Sequence, residues 1–202
     1  MFTTRLIPTS SVTDRIITLG QLLNDQRRLL VPAVSVVSET VPNFSERSKV
    51  IPPLPARVEL LHTLHTSGIP TLLALRPTFP FTLVSADEVC RIVGMCAGGV
   101  TSVLGEIFLM DTEEVIERRL GIPWVEGDRV EHLTFLEQPA LWSKRSFNEE
   151  IAHARAVSHD YGLPFFMRSG SALRMLEECW DFEGRMADVP NSWMKELSEP
   201  DP

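Results

Sequence analysis

The sequence predicts an α/β fold, a partial TIM-type barrel of about three parallel β/α units followed by a C-terminal α/β extension. Helical and strand-like apolar patterns alternate along the first 109 residues. The predicted strands are short and apolar throughout, as in a parallel sheet that helices cover. Strands joined by a helical crossover must also run parallel. We place the half-barrel at residues 1–123 and the extension at residues 124–202.

The first predicted unit follows an extended lead-in of about eleven residues. Thr13-Asp14 supplies the cap of a helix that continues to Leu30. Residues 31–38 (VPAVSVVS) are rich in β-branched side chains and predict a buried strand. An irregular, proline-bearing segment then leads to the second unit.

The second and third units occupy residues 57–109. Apolar residues recur at helical spacing over residues 57–66, with Ser67-Gly68 as the stop, and residues 71–75 form an apolar strand. The next helix begins with a capping box, Ser85 followed by Glu88, and ends near Met95. Residues 100–109 predict one further strand.

The extension contains one more helix–strand–helix pattern. Residues 147–161 predict a helix that Gly162 ends, and GLPFFM predicts a strand. SGSALRMLEECW predicts a final helix whose N-terminal serines serve either as caps or as an anion site, and capping is the simpler interpretation.

Polar residues follow the predicted strands, where parallel α/β proteins carry their functional sites. They are Arg76 and Thr78 after one strand, and Asp111 and Thr112 after another. A guanidinium directly after a buried strand must reach solvent, a bound anion or a carboxylate. Arg76 is therefore either a ligand residue or the partner of Glu39 or Asp111.

Two segments resemble a known family. GIPTLLALRPTFP at residues 68–80 and GVTSVLGEIFLMD at residues 99–111 resemble the later strands of a radical-SAM barrel. The closest likeness is to the spore-photoproduct-lyase-like branch, and the YGLPFF segment fits the same branch. Together the similar segments cover roughly two-thirds of the chain. The resemblance implies that residues 1–123 correspond to the fourth to sixth of six β/α units.

The resemblance also implies a cofactor site. In this family the barrel mouth holds S-adenosylmethionine, whose carboxylate suits a bidentate arginine contact at Arg76. Ser35, Ser38 and Glu39 match the polar end of the fourth strand, and Gly105 matches a position where adenine approaches the sixth. Each serine also fits an ordinary strand end, and Gly105 also fits a bulge. No catalytic residue is assigned.

The family's three-cysteine cluster motif is absent. Cys90, Cys96 and Cys179 are too widely spaced to hold an iron–sulfur cluster and are expected to be structural thiols. His62 and His65 lie one helical turn apart with no further ligand in sequence, so no metal site is predicted.

The resemblance, together with the absence of the three-cysteine motif, predicts a subunit of a split radical-SAM enzyme. A separate chain would carry the [4Fe-4S] cluster, and the heterodimer would close the barrel around S-adenosylmethionine. Three strands alone would leave exposed edges and one face with too little to pack on. Two alternatives remain, a non-catalytic scaffold or regulatory subunit and an independent small α/β enzyme.

Composition and charge limit the classes of partner and the cell compartment that we expect. The net charge is −8 and no basic stripe occurs, which disfavours nucleic acid and leaves a small molecule or a peptide as substrate. No apolar segment approaches the roughly 20 residues that cross a bilayer. Three cysteines without tight pairing suit the cytoplasm.

Overall fold

The computed structural model describes residues 1–36, 51–76, 78–79, 81, 84–105, 108–110, 130–134, 141–145 and 148–195. Its main element is a parallel sheet of five strands in the order β1-β2-β3-β4-β8. The strands of this sheet are β1 (Phe2–Thr4), β2 (Pro32–Ser35), β3 (Leu72–Leu75), β4 (Ser102–Gly105) and β8 (Phe165–Phe166). Each strand lies beside the preceding one, as in a TIM-type barrel, and the predicted fold class is confirmed.

Helices connect successive strands of this sheet. The connecting helices are α1 (Ser10–Asp25), α2 (Leu54–Thr66), α3 (Ala86–Cys96) and α4 (Asn148–Asp160). The N-cap half of the predicted capping box is present, since the Ser85 hydroxyl accepts a hydrogen bond from the Glu88 N–H at 3.2 Å. The Glu88 carboxylate accepts hydrogen bonds from Arg91. Gly68 and Gly162 end α2 and α4 with φ of 79° and 71°, a conformation that glycine adopts without steric cost.

The predicted strand over residues 100–109 is two strands. Its first part is β4, and its last part is β5 (Phe108–Met110), which belongs to a separate antiparallel sheet. The order in that sheet is β5-β7-β6, with β6 at Val130–Thr134 and β7 at Leu141–Arg145. The helix predicted after Asp111 lies outside the described residues.

Two additional strands flank the three central ones. The lead-in forms β1, which pairs with β2, and the Phe-Phe segment of the extension forms β8, which pairs with β4. The edges of β2 and β4 are therefore covered by the same chain. The boundary at residue 123 stays a prediction, because residues 111–129 lie outside the described part of the chain.

The expectation that one sheet face lacks cover is wrong. Val34, Leu73 and Val103 point to the face on which α2, α3 and α4 pack. Ala33, Leu72 and Leu104 point to the opposite face, which is covered by α5 (Ser169–Cys179) and by Trp193 of the short helix α6 (Asn191–Lys195). The chain crosses to the second face after β8, so each face of the sheet has its own apolar core. We call these the α2–α4 face and the α5 face.

Candidate functional site

Ser35 and Arg76 lie together at the carboxyl ends of two neighbouring strands. Ser35 pairs with Ala74 across β2 and β3, and Arg76 comes two residues later. Because side chains alternate along a strand, both are directed to the α5 face. The Ser35 hydroxyl donates a hydrogen bond to the Arg76 carbonyl oxygen at 3.3 Å. Among the predicted cofactor residues that the structure describes, Ser35 and Arg76 are the two that lie together.

The Arg76 side chain extends to the N-terminus of α5. Its Nη2 donates to the Ser169 hydroxyl at 3.1 Å, and Ser169 is the first residue of the helix. The helix cap is Arg168, whose side chain makes no capping hydrogen bond. The Ser169 hydroxyl therefore contacts Arg76 and is not the helix cap, contrary to the simpler interpretation of the serines.

The electrostatics of this edge favour an anion. A guanidinium lies beside the positive end of an 11-residue helix, so two positive groups face the same space. A carboxylate can accept hydrogen bonds from both the guanidinium and the free N–H groups of the first helical turn. Arg76 also makes contacts beyond Ser169. Its predicted carboxylate alternatives, Glu39 and Asp111, lie outside the described residues.

A second arginine, Arg57, approaches the same strand end from the opposite face. It is fully buried, and its Nη1 donates to the Ser35 carbonyl oxygen at 2.8 Å. Ser35 thus contacts Arg57 through its carbonyl and Arg76 through its hydroxyl. Sequence reasoning missed Arg57 as a site residue. The available signal was its spacing of three, four and seven residues from Leu60, Leu61 and Leu64, which places a charge on the inward face of α2.

Gly105 does not join Ser35 and Arg76. It follows Val103 by two residues, so its missing side chain is directed to the α2–α4 face. A Cβ there would overlap the edge of the Phe165 ring and lie 3.0 Å from the Met167 sulfur. The absence of a side chain at Gly105 leaves room for the Phe165 ring, and this packing explains the glycine without invoking a bound ligand.

Ser38 and Glu39, two of the predicted cofactor residues, lie outside the described residues, as do Asp111 and Thr112. Thr78, the other polar residue after β3, is buried with 8% of its surface exposed. The described part of the site is therefore Ser35, Arg76 and Ser169, with Arg57 beneath them.

The three cysteines cannot form an iron–sulfur cluster. Cys96 lies in the core of the α2–α4 face, and Cys179 lies in the core of the α5 face, with the sheet between them. Burial raises the pKa of the Cys96 thiol to about 12, although Arg57 acts in the opposite direction. Cys90 lies 3.7 Å from His153 Nε2 at the contact of α3 with α4. A cluster needs convergent thiolates, and these residues do not fit one.

The histidine pair of α2 also lacks a metal geometry. His62 Nε2 is 3.1 Å from the Met95 carbonyl oxygen, and the His62 ring packs against Gly99. Burial, and secondarily the neighbouring His62, lower the pKa of His65. Among the described residues no group of three potential metal ligands occurs. Within the same residues no helix is both long and apolar enough to cross a bilayer.

Comparisons with known proteins find similarity to solved structures. No family model matches the chain, and no curated protein matches it. A solved structure of a spore photoproduct lyase mutant with bound AdoMet and dinucleoside spore photoproduct is similar with a TM-score of 0.41 and 13% identity. The similarity covers 83% of this chain and 50% of that one, so this chain spans about half the length of that protein.

Proposed function

We propose that this chain is the part of a two-chain radical-SAM enzyme that lacks the cluster, and that Arg76 binds the carboxylate of S-adenosylmethionine. The observation that carries the proposal is the Arg76 guanidinium beside the N-terminus of α5, where two positive groups meet. The radical-SAM-like residues at 68–80 place Arg76 directly after their strand, at the end where such barrels hold the cofactor.

In this proposal the cluster comes from another polypeptide. Cys90 and Cys96 lie on α3 beside the core of the α2–α4 face, and Cys179 lies in the core of the α5 face, so the three thiols do not converge on one cluster. The bound cofactor and cluster would supply the radical chemistry. This chain's role is to orient the cofactor carboxylate and to exclude water from that wall of the pocket. Free thiols are also compatible with the expected cytoplasmic location.

The position of α5 limits where the cofactor would lie. Side chains of α5 pack on Ala33, Ala74 and Leu104, which occupy the face that a closed barrel would turn inward. The cofactor would therefore contact the carboxyl edge of the sheet, above the first turn of α5. A small molecule or a peptide remains the expected substrate, and nucleic acid remains disfavoured by the charge of −8.

One observation favours the alternative of a non-catalytic scaffold or regulatory subunit. The α5 face is covered by the chain's own helix and by Trp193, whose ring contacts Phe166 at a centroid distance of 6.1 Å. A sheet with both faces filled can bind a partner at its edges without contributing to a cofactor pocket. The two functions differ in their dependence on Arg76.

The test is cofactor cleavage by the assembled pair. The chain is co-expressed with a protein that carries a Cys-x3-Cys-x2-Cys motif and is encoded by a neighbouring reading frame, and 5′-deoxyadenosine is measured after anaerobic reduction. We expect product from the pair, at least tenfold less with Arg76→Ala, and an unchanged yield with the control Arg174→Ala on the exposed side of α5. Equal yields with and without this chain would contradict the proposal. A yield that requires the chain but not Arg76 would support the scaffold.

A further inference from the structure

Exposed apolar residues are concentrated at one end of the sheet. Among residues whose side chains are described, those with large apolar exposed surfaces are mostly near the N-terminus: Met1, Leu6, Val12, Leu19 and Leu22, each 44–53% exposed. Three of them belong to α1, at positions i, i+7 and i+10. On a helix with 3.6 residues per turn these positions fall within about 80° of one another. They form one apolar flank, which we call the α1 flank.

The opposite side of α1 contacts the turn at the end of α2, which fixes the direction of this flank. Gln21 Nε2 donates to the Ser67 carbonyl oxygen at 3.3 Å, and Asn24 Nδ2 donates to the Gly68 carbonyl oxygen at 2.9 Å. Gln21 lies roughly 160° around the helix from Leu19. The α1 flank is therefore turned away from α2, towards the side of the sheet on which β1 is the last strand.

On that side the backbone of β1 presents an open edge. The Phe2 N–H bonds to the Val31 carbonyl oxygen, so Phe2 and Thr4 direct their peptide groups to β2. The N–H and C=O of Thr3 then point away from β2, and Thr3 is exposed. Among the described strands none pairs with this edge. Unpaired strand groups of this kind bind another strand.

Together the open edge and the α1 flank have the geometry that receives one β/α unit. Within the sheet, a strand pairs with the edge of its neighbour while the following helices pack side by side. We infer that this edge binds a β/α unit of a second, different chain: an edge strand on β1 and an amphipathic helix on Val12, Leu19 and Leu22. This inference rests on the proposed function and assigns the cluster-bearing partner to the β1 edge of the sheet and not to the β8 edge.

Charge favours a different chain over a second copy. Arg15 borders the α1 flank, and Arg27 and Arg28 follow the end of α1, while the acidic Asp14 and Asp25 lie on other sides of the helix. Two copies packed through α1 would bring like charges together and join two molecules of net charge −8. A partner helix with carboxylates beside its apolar stripe complements the arginines.

The experiment measures the dissociation constant between this chain and the same Cys-x3-Cys-x2-Cys protein. We expect at least a tenfold weaker complex with Leu19→Asp/Leu22→Asp, because charges replace apolar contact. The control Thr63→Asp adds a charge at an exposed position of α2, the helix from which the α1 flank is turned away, and should stay within twofold. Thr3→Pro removes the outward N–H without removing a hydrogen bond to β2, and it should also weaken the complex. It tests the edge independently of the substitutions in α1.

The outcomes separate the inference from the proposed function. Complexes of unchanged affinity for both Leu19→Asp/Leu22→Asp and Thr3→Pro would overturn the β1-edge assignment while leaving the two-chain enzyme intact. No complex with the unmodified chain would overturn both. A homodimer that Leu19→Asp/Leu22→Asp dissociates would overturn the inference in favour of a second copy. Hydrogen exchange that slows at residues 2–4 on complex formation would support it.

Discussion

Gly105→Ala separates a packing role from a ligand role for Gly105. The added Cβ would overlap the Phe165 ring edge and lie 3.0 Å from the Met167 sulfur. Phe165 is fully buried, and the Arg155 guanidinium lies over its ring at 5.8 Å, so the ring has little room to move. Overpacking of this kind costs about 1–3 kcal/mol. For a chain of this length that corresponds to a fall in Tm of roughly 2–12 °C.

The assay is urea unfolding of the purified chain, with Gly170→Ala as the matched control. Nothing lies within 4 Å of a Cβ at Gly170, which is in the first turn of α5. That substitution should raise the free energy of unfolding by about 0.4–1 kcal/mol, because alanine restricts the unfolded chain. Phe165→Leu should make room for the methyl group of Gly105→Ala. The free energy of unfolding of the double variant Gly105→Ala/Phe165→Leu should therefore be at least about 0.5 kcal/mol higher than the two single effects predict when added.

The refuting result is equally specific. If Gly105→Ala unfolds at the same urea concentration as the unmodified protein, the contact with Phe165 does not explain the glycine. If Gly105→Ala leaves unfolding unchanged and abolishes cofactor cleavage by the pair, the result favours the adenine-binding role that the radical-SAM resemblance implies for Gly105.

Two further predictions concern local structure and pH. Ser85→Ala removes the hydroxyl that accepts from the Glu88 N–H and should lower the free energy of unfolding in urea by about 1 kcal/mol. Thr9→Ala, at a helix cap without such a bond, should change the free energy of unfolding by less than about 0.5 kcal/mol. Equal losses for the two variants would contradict the capping role. Burial raises the pKa of Cys96 from 9.0 to about 12. The folded protein therefore keeps a proton that the unfolded chain loses, and the free energy of unfolding should fall as pH rises above 9, by up to about 1.4 kcal/mol per pH unit. Cys96→Ala should flatten this dependence, and an unchanged slope would contradict the shift.

Local signals predicted the central units well. The Ser85 N-cap and the glycines at the ends of α2 and α4 act within a few residues, so their positions could be read from the sequence. The flanking strand β1 has three residues and β8 has two. The GLPFFM pattern predicts the strand at β8, and the lead-in is predicted only as extended. The pairing of β1 and β8 with the central strands depends on long-range contacts that the sequence pattern does not encode.

The candidate site was predicted in part for the same reason. Ser35 and Arg76 meet because parallel neighbouring strands end at one edge, which the predicted topology already required. The direction of Gly105 relative to Arg76 depends on the register of β4 against β3, which pairs Gly105 with Leu75 and cannot be read from either segment alone. The cover of the second face depends on α5 crossing the sheet after β8, a packing choice between distant segments.

The most direct test of the account compares S-adenosylmethionine with its decarboxylated analogue in binding to the assembled pair. If Arg76 holds the carboxylate, Arg76→Ala should weaken binding of the cofactor at least tenfold and leave binding of the analogue within twofold. Equal losses for both ligands, or none for either, would contradict the assignment of Arg76 to the cofactor carboxylate.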